Sequence, residues 1–414
     1  MLGALLDKVF KRSLAPQGFA RKLIAAARDA GYREPLDYLA DEFRIRHGDG
    51  AYFNLHNAFR DYQNADRPGK AAVLEGYVAT LLRSRDNAAR GFDEVRARLR
   101  PVIRNLAMLE EVRLHHLRSE GRDAAYDVVQ RPLARDCVVL LAIDHPESTE
   151  TLTKGPEAHW GVDMDEALAI ARDNLRADTP EAFEEIIPGL YIGRWGDGYD
   201  ISRALLPDVL QRAPIKGQPV FMIPTSDILL VAGDRDEPAL RQMVELCFQA
   251  QEGGRVVSGQ MLTLQDQRIL PFDPAEEPLR ARLATLQQRM LQGAYHTQKE
   301  LLDRLHAERA EDLFVATYLL YELADSGGCT FSLCSWTQSV ASLLPRTDRV
   351  ALVALGEDGT SDTRLVAWAQ IEAHAGDWLE QVQGYPPRYR TLGFPSREQL
   401  ERMAPLNAGF TPSP

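Results

Sequence analysis

Val138 to Ile143 is an unbroken apolar run rich in β-branched residues, the pattern of a strand covered on both faces. Asp144-His145-Pro146 closes it, because Pro146 cannot continue a ladder and Asp bonds readily to neighbouring backbone. From Asp163 the period becomes helical, with Ala167, Leu168, Ala171 and Leu175 recurring at three- and four-residue steps. This strand-to-helix pair is the expected centre of the fold.

Upstream, Leu2 to Phe10 and Phe19 to Ala27 predict two short helices divided by Pro16 and Gly18. Pro35-Leu-Asp-Tyr-Leu, Phe43-Arg-Ile-Arg and Ala51-Tyr-Phe-Asn-Leu read as a small meander, since Phe43 and Ile45 alternate with Arg44 and Arg46. Asn54 to Asn64 and Ala71 to Leu82 return to helical spacing, broken at Arg67-Pro68-Gly69. Residues 86–134 read as largely helical, with Pro101 in a first helical turn, where its missing N–H costs nothing.

Downstream of the central helix, Leu190-Tyr-Ile is a short strand, Trp195-Gly-Asp-Gly198 a turn, and Ile201 to Leu210 a helix. Pro219 to Pro224 and Ile228 to Ala232 predict a tight hairpin through Thr225-Ser-Asp227. Pro238 to Gln249 is a clean amphipathic helix, followed by strands at Val256 to Leu262 and Arg268 to Pro271. Leu279 to His306 reads as a long charged helix with a narrow stripe of Leu283, Leu286, Met290 and Leu291, suited to packing on another helix or a second subunit. A helix at Leu313 to Leu323 follows, then strands at Thr330 to Trp336, Val350 to Leu355 and Arg364 to Ile371, with Glu357-Asp-Gly359 as a turn. A helix at Asp377 to Val382, an extended Arg388 to Leu392 and a helix at Arg397 to Met403 complete the pattern.

The expected architecture is therefore α+β, with several small helix-covered β-sheet modules linked by helices. The pattern places an N-terminal module at 1–85, a helical linker at 86–135 and a central α/β module at 136–272. A second helical linker spans 273–312, a C-terminal α+β module 313–404 and a tail 405–414. The order helix, strands, helix recurs near 17–82, 163–262 and 313–382, without residues matched at fixed offsets.

Scattered positions of the central module carry a likeness: Ile143-Asp144, Trp160-Gly161, Ala171 with Asn174-Leu175, Tyr199 with Ser202 and Leu205, and Ile223-Pro224 with Asp227. Together they resemble the YtpQ-like bacterial family, over a stretch of 15–272. The resemblance implies a bacterial protein with a domain of unknown function and carries no reaction across. At the level of fold, small helix-covered sheets also resemble the secretion-chaperone-like fold, which mostly binds other proteins.

Composition narrows the function classes. No stretch of the 414 residues approaches the roughly 18 apolar residues of a membrane span. The N-terminal apolar block is too short for a signal peptide and its charges follow it, so a cytoplasmic location is expected. Four cysteines without a CxxC pair point to reduced, buried thiols. Residues 1–135 carry 24 Lys and Arg against 18 Asp and Glu, whereas the remainder carries 24 against 42. The basic residues are scattered through helices and not clustered with aromatics, so they suit docking against an acidic surface better than nucleic acid.

Chemistry is sparse. Phosphate-binding glycine loops, HExxH and GxSxG are all missing from the sequence. The best constellation is Asp144, His145 and His159, with Ser202 and Asp227 from neighbouring elements. A carboxylate at the carboxyl end of the central strand can orient an imidazole, or hold a cation beside Asp227. The competing reading makes Asp144 and Asp227 caps of their turns. Two functions follow: a non-enzymatic, chaperone-like module that binds another protein or a second copy, or a hydrolase or metal-assisted enzyme centred on Asp144, His145 and Asp227. No cofactor is expected.

Overall fold

The structure is a computed structural model; it describes residues 16–40, 43–47, 51–66, 68–83, 90–121, 124–145, 148–180, 183–252, 257–322, 330–355 and 360–406. The fold is α+β, built of several small antiparallel and mixed sheets. The chain divides into two compact units, one of Met1–Leu99, Ala142–Leu152 and Glu157–Val162, the other of Arg100–Leu141, Thr153–Pro156 and Asp163–Pro414.

The first unit starts with helix α1 (Pro16–Asp29), then the antiparallel meander β1 (Leu36–Leu39), β2 (Arg44–His47) and β3 (Ala51–Asn54). Helices α2 (Leu55–Asn64) and α3 (Gly69–Arg83) follow. Phe19 and Leu23 of α1, Ile45 of β2, Leu55 and Ala58 of α2, and Val78 and Leu81 of α3 form its buried core. The period-three-to-four spacing of these positions gives each helix one apolar face, and the meander supplies the surface they cover.

Strand β4 (Leu99–Asn105) carries the chain into the second unit. It corrects the expected helix at Pro101. Pro101 to Ile103 are buried strand residues, and the helix α4 (Leu106–Glu120) begins only after Asn105, whose Oδ1 accepts from the Ala107 N–H at 2.7 Å. The short β5 (Arg131–Pro132) pairs antiparallel with β6 (Cys137–His145), which in the second unit lies between β4 and β5. Cys137 to Ile143 are all buried, as the apolar run predicts. From Ala142 on the strand belongs to the first unit, where β7 (Ser148–Leu152) pairs with it.

Helix α5 (Met164–Ala177) opens on a capping box in which Asp163 and Glu166 satisfy each other's backbone. Strands β8 (Phe183–Ile187), β9 (Leu190–Gly193), β10 (Pro219–Thr225) and β11 (Ile228–Gly233) then form most of a six-stranded sheet. The expected helix at Ile201–Leu210 breaks into a 3-10 turn (Ile201–Leu205) and a single helical turn (Pro207–Leu210), because Pro207 cannot donate into a continuous helix. Helix α6 (Glu237–Glu252) covers the sheet, and the hairpin β12 (Leu262–Gln265) and β13 (Arg268–Pro271) closes it. The strand expected from Val256 therefore starts later, at Leu262; Val256 itself lies outside the described residues.

Helix α7 (Glu277–Glu308) joins two layers. Its first half puts Leu279, Leu283 and Leu286 into the core of α6 and the six-stranded sheet. Its second half meets the strands that follow. The expected helix at Leu313–Leu323 is instead β14 (Phe314–Val315) and β15 (Leu319–Glu322). Pairing decides this segment: β14 runs parallel to β17 (Ser342–Pro345), and β15 runs antiparallel to β16 (Thr330–Thr337). The third helix-first pattern is therefore not a repeat of the others.

Strand β18 (Arg349–Leu355) pairs parallel with β16 and antiparallel with β19 (Ser361–Ala367). Helix α8 (Trp368–Ala375) follows, then β20 (Leu379–Val382) and β21 (Arg388–Thr391), antiparallel to each other, and α9 (Arg397–Arg402). The expected helix at Asp377–Val382 is thus β20, drawn into a four-stranded sheet by β21. Trp336, Val350, Val366, Trp368 and Ile371 form the buried core here. The turn expected at Glu357–Gly359 and the helix expected at Leu2–Phe10 lie outside the described residues.

Arg388 of β21 is 1% exposed and gathers this region onto α7. Its guanidinium donates to the carbonyls of Ala316 (2.8 Å), Leu343 (3.2 Å) and Tyr295 (3.2 Å) and to Gln298 Oε1 (2.8 Å). Burial lowers its pKa to about 10, so it is still charged at neutral pH. Arg388→Leu strands several buried acceptors at once, each worth about 1–3 kcal/mol. The expected loss of unfolding stability is at least about 3 kcal/mol in urea titrations; a loss below about 1 kcal/mol contradicts this role.

Candidate functional site

Asp144 and His145 end β6 in the first unit, on successive positions and so on opposite faces of the strand. The His145 side chain is 8% exposed. Its Nε2 lies 2.9 Å from Glu150 Oε2 on β7, and Arg98 Nη1 approaches its Nδ1 at 3.4 Å. Arg90 Nη1 donates to the same Glu150 oxygen at 2.9 Å. Both ring nitrogens are engaged, which leaves neither free as a general base. Burial raises the Glu150 carboxyl, but the hydrogen bonds from His145 and Arg90 outweigh it and hold the group below the usual glutamate range.

The other sequence candidates are also anchored. His159 Nε2 lies 2.8 Å from the Arg90 carbonyl, and the Trp160 indole donates to that oxygen at 2.9 Å. Asp227 belongs to the second unit, exposed at the β10–β11 turn, where Thr225 Oγ1 donates to it at 2.7 Å. Ser202 is buried in the 3-10 turn of the second unit. Trp195-Gly-Asp-Gly198 is closed on itself: Asp200 Oδ1 accepts from the N–H of Trp195 and Gly196, and Asp197 pairs with the fully buried Arg203. Among the described residues no group of three or more His, Cys, Asp or Glu side chains is placed to hold a metal.

Sequence reading passed over one cavity. It measures about 660 Å³ and lies wholly in the second unit, between α4, α7 and the turn at Tyr385–Pro387. One wall is a stripe of α7 with Met290, Ala294 and Leu301, and Met108 of α4 stands at its edge, 43% exposed. The polar side is a chain of buried groups. Glu110 accepts both Nε and Nη2 of Arg113, at 2.7 and 2.8 Å, and the Gln298 amide at 3.1 Å. That amide also donates to the Pro386 carbonyl at 3.1 Å. Gly384 is required beside it, since it has φ +139° and a Cβ there would collide with Glu110.

Asp136, the residue before β6, also lines the cavity and is 8% exposed. Its Oδ1 accepts from Ser258 Oγ at 2.7 Å and its Oδ2 from the Gly259 N–H at 3.1 Å. Burial pushes its carboxyl up, and those hydrogen bonds recover only part of the shift. These partners are more than a hundred residues away in sequence, so no local motif marks the site. The polar Arg135-Asp136 step directly before an apolar strand is the one visible sign.

The described cysteines offer no reactive thiol. Cys137, Cys247 and Cys334 are fully buried, and burial raises all three, Cys247 and Cys334 to about 12.

Among the described residues no helix is long and apolar enough to cross a membrane. Comparison with protein-family models, with curated proteins and with solved structures finds no match in any of the three.

Because the Glu150 pKa is depressed in the folded chain, its contribution to stability is present above the ordinary glutamate value of 4.5 and is lost as pH falls through the lower folded value. Hydrogen exchange at the β6–β7 pairing should therefore speed up as pH drops below that value, after correction for intrinsic rates. Glu150→Gln should flatten the dependence. An unchanged pH profile in the variant contradicts the role given to this carboxylate.

Proposed function

We propose that the chain is a non-enzymatic binding module that receives a segment of another protein at the α4–α7 cavity. The supporting observation is the state of its polar lining: Glu110, Gln298 and Asp136 are already held by Arg113, Arg388, Ser258 and backbone. Groups fixed in this way shape and charge a surface, and no nucleophile stands paired with a base among them. The cavity has the volume of an ordinary ligand site and an apolar wall from one helix face, a form suited to anchoring a side chain. Met108 and Val112, one turn apart on α4, are 43% and 42% exposed and extend the apolar surface along that helix. The same reading takes the protein as a bacterial relative of the YtpQ-like family that acts in the cytoplasm.

Affinity capture from native lysate tests this, with the intact chain beside Met108→Glu and an Asp144→Ala, Asp227→Ala double variant, all checked for folding by circular dichroism. The expected result is a specific protein partner whose recovery falls about tenfold with Met108→Glu, as for loss of an interface anchor, and is unchanged in the double variant. A bound metabolite or metal lost only from the double variant would instead favour the enzyme.

A further inference from the structure

We infer that the cavity of the second unit is a site for an alkylammonium group, with Asp136 as its anionic partner and Tyr385 as its aromatic wall. This deepens the binding role proposed above and rests on it.

The argument begins with charge. Of the two buried acids that line the cavity, Glu110 is neutralised by the bidentate Arg113. Asp136 makes no ion pair among the described residues; its protein partners are the Ser258 hydroxyl, the N–H groups of Gly259 and of Asp136 itself, and the neighbouring Cys137 thiol. These four donors match the roughly four acceptor positions of a carboxylate, and none of them carries a countercharge. A buried carboxylate without a countercharge is costly, and a ligand cation removes that cost.

Shape narrows the cation. Too few ligating side chains gather here for a metal, as noted above for the described residues. Tyr385 lines the cavity and lies close enough for the Asp136 charge to raise its hydroxyl pKa further, after burial. A carboxylate beside an aromatic ring is the pairing that holds organic cations. The stripe Met290, Ala294 and Leu301 offers a methylene stem an apolar track. Arg135 and Arg289 also border the cavity, but both are exposed, where solvent and salt screen them, and the Arg289 guanidinium sits 5.5 Å over the Phe248 ring.

The shared chemistry is an ammonium on an aliphatic stem, supplied either by a lysine of a partner protein or by a free amine. Methyl-labelled methionine spectra of the full chain test it, since Met108 and Met290 both border the cavity. The probes are Nα-acetyl-lysine amide, pentylamine and the neutral Nα-acetyl-norleucine amide. Saturable shifts at Met108 and Met290 are expected with the cations, and binding of the neutral probe is expected to be about tenfold weaker or worse. Asp136→Asn should cut cation affinity by about tenfold and leave the neutral probe unchanged, whereas Tyr385→Leu, which keeps the acid, should cost about threefold. Tighter binding of the lysine derivative assigns the site to a partner's side chain; tighter binding of pentylamine assigns it to a free amine. Equal affinity for the neutral probe, or full cation affinity in Asp136→Asn, overturns the inference. If that happens while Met108→Glu still loses its captured partner, the cation site falls and the binding role stands. If the amines bind as expected but Met108→Glu retains the partner, the protein-binding role alone falls.

Discussion

A guanidinium buried without a carboxylate in hydrogen-bond contact sets the geometry of the second unit's later half. Arg388 spreads its charge over three carbonyls and the Gln298 side chain, and no ion pair to it forms among the described residues. Such a group tolerates burial only while every acceptor stays in place. The acceptors come from α7, from the residue after β14 and from β17, so the constraint reaches across elements far apart in sequence. Gln298 then passes it on, because the amide that faces Glu110 and Pro386 belongs to the side chain whose oxygen receives Arg388. Tyr295 adds a second tie, donating to the Pro387 carbonyl at 2.8 Å and accepting from the Arg346 N–H at 3.1 Å. The cavity wall and the packing of the last sheets are therefore one mechanical system.

The cavity owes its character to this arrangement. The turn at Tyr385–Pro387 is tied to α7 by Gln298 and Tyr295, which donate to the carbonyls of Pro386 and Pro387, and Met108, Met290 and Leu301 line the cavity beside it. Glu110 and Asp136 are the buried acids of the lining, and the exposed Arg135, Arg289 and Glu111 also border the cavity. With Glu110 paired to Arg113, the buried negative charge of the interior is that of Asp136, and exposed side chains of both signs border it. This mixture of signs explains why charge totals along the chain said little about the site.

Periodicity made much of the architecture legible. The β6 run, the α5 and α6 helices, the β10–β11 hairpin and the long α7 are where the apolar spacing puts them. The errors share a cause. Pro101 in β4, Phe314–Val315 in β14 and Leu379–Val382 in β20 are short stretches whose identity is set by a partner strand, which local spacing cannot reveal. The site was less legible still. Asp144, His145 and Asp227 stand out in the sequence because they end apolar runs, and ending a run is a local property. Asp136, Glu110, Gln298 and Tyr385 matter through contacts between distant segments, and apart from the polar Arg135-Asp136 step before β6 nothing near them in sequence advertises that.

The most direct measurement is a double-mutant cycle on Gln298 and Arg388, with Gln298→Leu, Arg388→Leu and the pair compared by urea unfolding. If the two side chains are halves of one buried network, the single losses should not add, and a coupling of at least about 1 kcal/mol is predicted for residues in direct contact. Additive losses, with coupling within about 0.3 kcal/mol of zero, would contradict the claim that this interaction organises the second unit.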